Sequence, residues 1–252
     1  MKYSIQVIAI LLFLISVPTN GQNLQGNIQY TSKSKVHVLI NTENFSKISQ
    51  QKFKAGHNAS SIKKYALNFN KSSSLFTEVI DANINPSLGM RSNPKGPALM
   101  INHPGNFYKD LKTKNYINQK EFFGKQFIIR DKLTTINWQK TKEVKMIGKY
   151  TCFKATAKIL NGSSKSNSST NVVAWYTIDI PVSQGPGKYW GLPGLILEVQ
   201  TEDVVYTCTK IELNQANDTA IKMPKKGKKI TQKKFDKLFV STLNDIRERH
   251  AN

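Results

Sequence analysis

The chain has 252 residues, 39% of them hydrophobic, with 37 lysines and arginines against 16 aspartates and glutamates, a formal net charge of +21. That length and apolar content are enough to bury a core without disulfide or metal staples. No long apolar run follows the N-terminal segment, which excludes further membrane-spanning helices.

Residues 1–21 predict a secretory signal. Lys2 supplies a positive start, Ile5 to Val17 an apolar core broken by Gln6 and Ser16, and Pro18-Thr19-Asn20-Gly21 a turn with a small residue before Gln22. A core of about 13 residues falls short of the roughly 20 that cross a bilayer, so cleavage near Gly21 is expected rather than an anchor. No cysteine stands there to carry a lipid. The remaining chain, 22–252, is expected to be one exported β domain in the periplasm or at the outer-membrane periphery. Losing Lys2 leaves 36 basic and 16 acidic residues, a net +20. Such a charge favours anionic envelope surfaces (lipopolysaccharide phosphates, phospholipid headgroups, acidic glycans), and export removes nucleic acid as the usual target.

Gln22 to Asn41 alternates weakly, with Ile28, Tyr30, Val36, Val38 and Ile40 in phase, and predicts a strand or hairpin. Thr42 to Ser61 is polar, a short helix or a loop. Residues 65–70 and 74–80 predict two strands joined by Lys71-Ser72-Ser73. Asp81 to Pro104 holds four prolines and two glycines with little periodicity, an ordered excursion or a long loop. Strands follow at 106–110, 115–122 and 125–131, the last two joined by a tight hairpin at Gly124, with a short one at 137–139. Residues 150–160 and 172–180 predict a pair whose Ser/Asn-rich connection, 161–170, reads as an exposed tip. Residues 195–200 and 204–213 pair around Thr201-Glu202-Asp203.

Lys222 to Lys237 holds eight lysines. Phe235, Leu238, Phe239, Leu243 and Ile246 recur at helical spacing behind Thr231 as N-cap, predicting a C-terminal helix from about 231 with a basic face. Many short strands with regular turn signals predict a mainly β fold, a curved antiparallel sheet or partial barrel closed off by that helix.

Between Gly185 and Gly194 lie four glycines and two prolines, flanked by bulky apolar residues. Glycine allows positive φ and close backbone approach, and proline fixes φ and removes a donor, so this is a shaped loop. Two accounts are open. Gly185, Pro186, Gly191 and Gly194 shape a crossover in which Trp175, Tyr189 and Trp190 are packing residues, or Trp175, Tyr189, Trp190, Leu192 and Pro193 line a binding mouth.

The run Trp138, Ile147-Gly148-Lys149-Tyr150-Thr151-Cys152-Phe153-Lys154-Ala155, Ala174-Trp175-Tyr176-Thr177-Ile178-Asp179-Ile180-Pro181 and Tyr189-Trp190-Gly191-Leu192-Pro193-Gly194-Leu195-Ile196 resembles the GLPGLI family of exported Bacteroidota proteins. The resemblance covers 138–213 specifically and implies an envelope protein of unsettled role. The Gly-Arg pair common in that family before the Ala174-Trp175 strand is replaced here by the Ser/Asn-rich run, with Lys165 as the nearest cation.

No catalytic or metal-ligand spacing occurs among His37, His57, His103 and His250, and no nucleotide or flavin fingerprint is present. Neither an enzyme, a metal nor a cofactor is therefore expected. Asp179 and Glu198 flank the Gly/Pro segment as an isolated carboxylate pair. Cys152 and Cys208 form a disulfide, closing a loop of about 57 residues at a gain of roughly 4 kcal/mol, or remain two buried thiols. The expected role is a non-catalytic binding or accessory factor for an outer-membrane component. The alternative is a carrier of an apolar or lipid ligand in a sheet-lined cavity.

Overall fold

The structure, a computed structural model, describes residues 24–34, 62–80, 105–160, 169–214 and 221–251. The expected signal segment, the polar stretch before residue 62, the proline-rich excursion and the Ser/Asn-rich tip therefore lie outside the described residues, wholly or nearly so.

Among the described residues twelve strands form one sheet. In chain order they are β1 (Gly26–Ser34), β2 (Ile62–Phe69), β3 (Ser73–Val79), β4 (Asn106–Asp110), β5 (Asn115–Phe122), β6 (Lys125–Lys132), β7 (Gln139–Ile147), β8 (Tyr150–Leu160), β9 (Ser169–Thr177), β10 (Leu195–Gln200), β11 (Val204–Leu213) and β12 (Lys228–Ile230). The helix α1 (Gln232–Ala251) follows. Thr231 caps it, its Oγ1 accepting from the Lys234 amide at 3.4 Å. The spatial order is β12-β6-β5-β4-β3-β2-β1-β11-β10-β9-β8-β7. Two antiparallel meanders, β1 to β6 and β7 to β11, thus meet where β1 pairs with β11, Gly26 opposite Leu213. Among the described strands only β12 runs parallel to its neighbour, Lys228 opposite Phe127.

The sheet is rolled into a trough. Ten strand steps separate β6 from β7, which would be about 48 Å on a flat sheet. The link from Lys132 to Gln139 reaches at most about 25 Å when fully extended. The aromatic core agrees. Phe76 on β3 and Tyr206 on β11 bring their ring centroids to 5.6 Å, although β2 and β1 lie between their strands. Tyr65 stacks on Phe76 at 4.9 Å and meets Tyr206 edge-on at 5.5 Å.

Along β4 and β5 the residues facing the hollow are Phe107 and Lys109, then Tyr116, Asn118, Lys120 and Phe122. Helix α1 covers the β5–β6 end of this face. Phe235 meets Phe127 and Phe122 at 5.6 and 5.7 Å, and Tyr116 Oη donates to Gln232 at 2.9 Å. A bulge at Leu197 shifts the β9–β10 register, so Ile196 and Val199 share a cluster with Tyr176 and Ala174 while Leu195 and Leu197 join the main core.

The expected sheet and helix are present, with β2 and β9 each starting three residues early, at Ile62 and Ser169, and three further differences. The strand expected at 137–139 is instead nine residues, β7, starting at Gln139. The strand expected to reach Ile180 ends at Thr177, and residues 178–180 turn. Within the lysine-rich tail, Lys228–Ile230 adds the parallel strand β12.

Candidate functional site

The Gly/Pro segment lies in the hollow of the trough and is built into its core. Ile180, Val182, Gln184, Tyr189, Leu192 and Leu195 are all buried. Its backbone takes over part of the ladder that β11 does not supply. Leu195 N donates to Ile180 O at 2.9 Å and Ile196 N to Gln184 O at 3.0 Å.

A single side chain fixes its shape. Lys109, on β4, is fully buried, and its Nζ donates to the carbonyls of Gly185 (2.6 Å), Gly187 (2.9 Å) and Tyr189 (3.0 Å). An ammonium has three donors, so every one is used. Those carbonyls belong to a turn that makes no regular ladder, so Lys109 supplies partners that the backbone there lacks. Beside it Ser74 Oγ donates to Gln184 Oε1 at 2.7 Å, also in the buried interior. The outer side of the segment is held by tryptophans. Trp138 Nε1 donates to Trp190 O at 2.8 Å, and Trp190 Nε1 to Thr134 O at 3.1 Å, which ties the β6–β7 link to the loop.

The residues considered for a binding mouth are thus distributed. Tyr189 and Leu192 are core, Trp190 is half-buried against the β6–β7 link, and Pro193 is exposed. Trp175 is half-buried beneath the Lys145 ammonium, 4.4 Å from its ring centroid, and the same ammonium binds Glu198 at 2.8 Å. Glu198 is therefore committed to an ion pair, while Asp179 is exposed on the turn. Among the structural glycines, Gly185 is packed so closely that a Cβ there would lie 2.9 Å from Ile196 Cβ, and Gly191 has φ +94°. Cys152 is buried and Cys208 half-buried, both as free thiols. Their Sγ atoms approach the carbonyls of Tyr150 and Lys210 at 3.6 and 3.8 Å. No group of three or more metal-ligating side chains occurs among the described residues.

Sequence reasoning missed the second inward lysine, Lys120, two positions from Asn118 on the same strand face. Burial, helped by the nearby Lys188 charge and opposed by Asp236, pushes its ammonium down to about 8. Burial alone pushes Lys109 down to about 7. Beside Lys120 on β5, Gln119 Nε2 donates to Lys226 O at 2.8 Å and Glu121 Oε2 accepts from Gln126 Nε2 at 3.0 Å.

These shifts give a pH prediction with a definite sign. Between about pH 7 and the usual lysine range near 10.5, unfolding makes Lys109 take up a proton, and Lys120 does so from about pH 8. Stability therefore rises with pH across that window. The thiols act oppositely. Burial pushes Cys152 up to about 11 and Cys208 up to about 12, so above pH 9 unfolding releases protons and stability falls. The buried tyrosines Tyr30, Tyr65, Tyr189 and Tyr206 are all raised by burial and steepen that fall above pH 10. The urea midpoint is expected to climb from pH 7, peak near pH 9 and drop beyond pH 10. A midpoint that falls steadily from pH 7 would contradict this assignment.

A family model described as "Protein of unknown function (Porph_ging)" matches residues 161–198, the stretch through β9, the Gly/Pro segment and the start of β10. No curated protein matches. Two solved structures are similar, "Structure of PNGF-II in C2 space group" and "Structure of PNGF-II in P21 space group", with TM-scores of 0.48 and 0.45 at 14% and 13% identity. The matches cover 84% and 86% of this chain but 32% and 33% of those, so the chain spans about a third of their length.

Proposed function

We propose that the protein is an exported, non-catalytic binding or accessory factor of the cell envelope, docking on an anionic outer-membrane component through its lysine-rich edge. The observation that carries this reading is the placement of the eight lysines between Lys222 and Lys237. All are exposed, along the approach to β12, β12 itself and the first turns of α1. Lys125, Arg130 and Lys132 of the adjoining strand β6 are exposed as well. The Gly/Pro segment, in contrast, fills the trough and offers little open surface. A carrier with its ligand under that segment would need volume which Tyr30, Leu195, Leu197 and Tyr206 occupy.

The test is co-sedimentation with vesicles of anionic and of purely zwitterionic phospholipid. Each lysine near such a surface contributes about 1 kcal/mol. Reversing Lys225, Lys229, Lys233 and Lys237 to glutamate is therefore expected to weaken anionic binding by at least about a hundredfold. Raising salt should weaken the unmodified protein as well, as the Debye length shortens. Unchanged binding by the reversed variant would sink the reading.

A further inference from the structure

We propose that the cleft between β5 and α1 binds a small amphipathic anion, a molecule with an apolar body and a single carboxylate- or sulfonate-type head. The cleft has a volume of about 410 Å³, inside the range of small-molecule sites. Phe122, Phe235 and Phe239 give it an apolar wall, while Lys120, Lys226, Gln119, Gln126, Asn106 and the exposed Glu121 stand around it.

The inference rests on the contrast between the two inward lysines. Lys109 has all three donors taken by carbonyls of the protein. Lys120, on the neighbouring strand and the same face, has no hydrogen-bond or ion-pair partner among the described residues, although its side chain is half-buried and lines the cleft. Burying an ammonium without an acceptor is costly, and an anion seated beside it would offset that cost. The acidic groups nearby do not fill this role. Asp236 accepts from Gln232 Nε2 at 2.7 Å, and Glu121, exposed at the cleft rim, accepts from Gln126 Nε2 at 3.0 Å. Lys188 adds a second positive charge within electrostatic range.

The polar side of the cleft is also incomplete. Asn118 is 5% exposed and its Oδ1 has no donor. It borders Gly105, a cleft-lining residue with φ +73°, where a Cβ would fall 2.5 Å from that oxygen and 2.7 Å from Lys120 Cγ. The missing side chain at Gly105 keeps the approach to Lys120 open. Three phenylalanines exclude a bare inorganic ion as the best occupant, since such an ion would leave their wall in contact with water. A ligand with one charged end and an apolar body satisfies both halves.

The experiment is calorimetric titration of the purified protein with decanoate, with 1-naphthalenesulfonate as a second anion and decanol as the neutral comparator. Decanoate or the sulfonate is expected to bind at one per chain, with decanol at least about tenfold weaker, the worth of a charge-assisted hydrogen bond. Lys120→Met should weaken the anions by at least about tenfold and leave decanol unchanged. Phe239→Ser should weaken all three. Anion affinity should also fall between pH 7 and pH 9 as Lys120 loses its proton, a dependence absent in Lys120→Met. Failure of both anions to bind at millimolar concentration, equal affinity for decanol, or unaltered anion binding by Lys120→Met would overturn the proposal. The four-lysine reversal at the basic edge spares the cleft lining and should bind decanoate normally. Loss of decanoate binding in that variant would place the anion at the edge, and would overturn the cleft without touching the vesicle result.

Discussion

At pH 6, where Lys109 carries its charge, replacing it by methionine is expected to destabilise the protein by about 3–5 kcal/mol, the cost of leaving buried acceptors without their donor. Methionine keeps the aliphatic length, so packing is little changed and the effect isolates the ammonium. It would leave the carbonyls of Gly185, Gly187 and Tyr189 without their donor in the interior, at about 1–3 kcal/mol for each that water cannot reach. Removing the ammonium also removes its own desolvation, which runs the other way and holds the total below the simple sum. In a chain of this size the loss corresponds to a fall in Tm on the order of 10 °C. Thermal unfolding measures it. Hydrogen exchange would locate it, with the Tyr189 and Gly191 amides, bonded to Pro186 O and Ser183 O, losing protection first. An unchanged or raised Tm would mean that desolvation of Lys109 outweighs the three bonds.

Gly194→Ala is expected to have the largest effect of any single methyl addition in the segment. A Cβ at Gly194 runs into the Thr177 carbonyl oxygen and lies 2.6 Å from the Thr177 carbonyl carbon and 3.1 Å from Ile178 Cα. These are backbone atoms at the end of β9, and no rotamer change can move them aside. The cost should exceed about 4 kcal/mol, the range reserved for severe overpacking, and the variant should be recovered largely unfolded. Gly187→Ala is the control. Gly187 has φ +52° with nothing within 4 Å of the added methyl, so its cost is backbone strain alone, roughly 1–2 kcal/mol. Urea unfolding of the two side by side decides the matter. Equal destabilisation would show that the end of β9 yields to the added methyl, against this reading.

Most strands were legible because one face is buried and the alternation survives. Tyr65, Leu67 and Phe69 on β2, or Phe107 and Lys109 on β4, follow a two-residue period. The β7 strand was not, because it is an edge strand with no residue fully buried, so lysine and glutamate occupy both faces and leave no period to read. Three residues of β12, two of them lysine, carry no local signal at all. The glycines and prolines announced a shaped loop between 185 and 194, and the structure makes that loop part of the core. What the loop is fastened to was hidden. Lys109 looks like any polar strand residue until its acceptors, 76 to 80 positions later in the chain, are folded against it. Its phase with Phe107 was the available clue, since a lysine on a buried face requires a partner. Lys120 shares that phase with Phe122 and Tyr116.

The pairing of Gly26 with Leu213 sets a clock on assembly. A chain delivered from its N-terminus gives β1 only one neighbour, β2, until some 190 residues have followed, at least about ten seconds at ordinary synthesis rates. Through that interval the first meander presents the unsatisfied N–H and C=O groups of β1 as an open edge, a template for any extended strand nearby. Sequestering that edge would be a task for whatever receives the chain first, and the arrival of β11 ends the need for it.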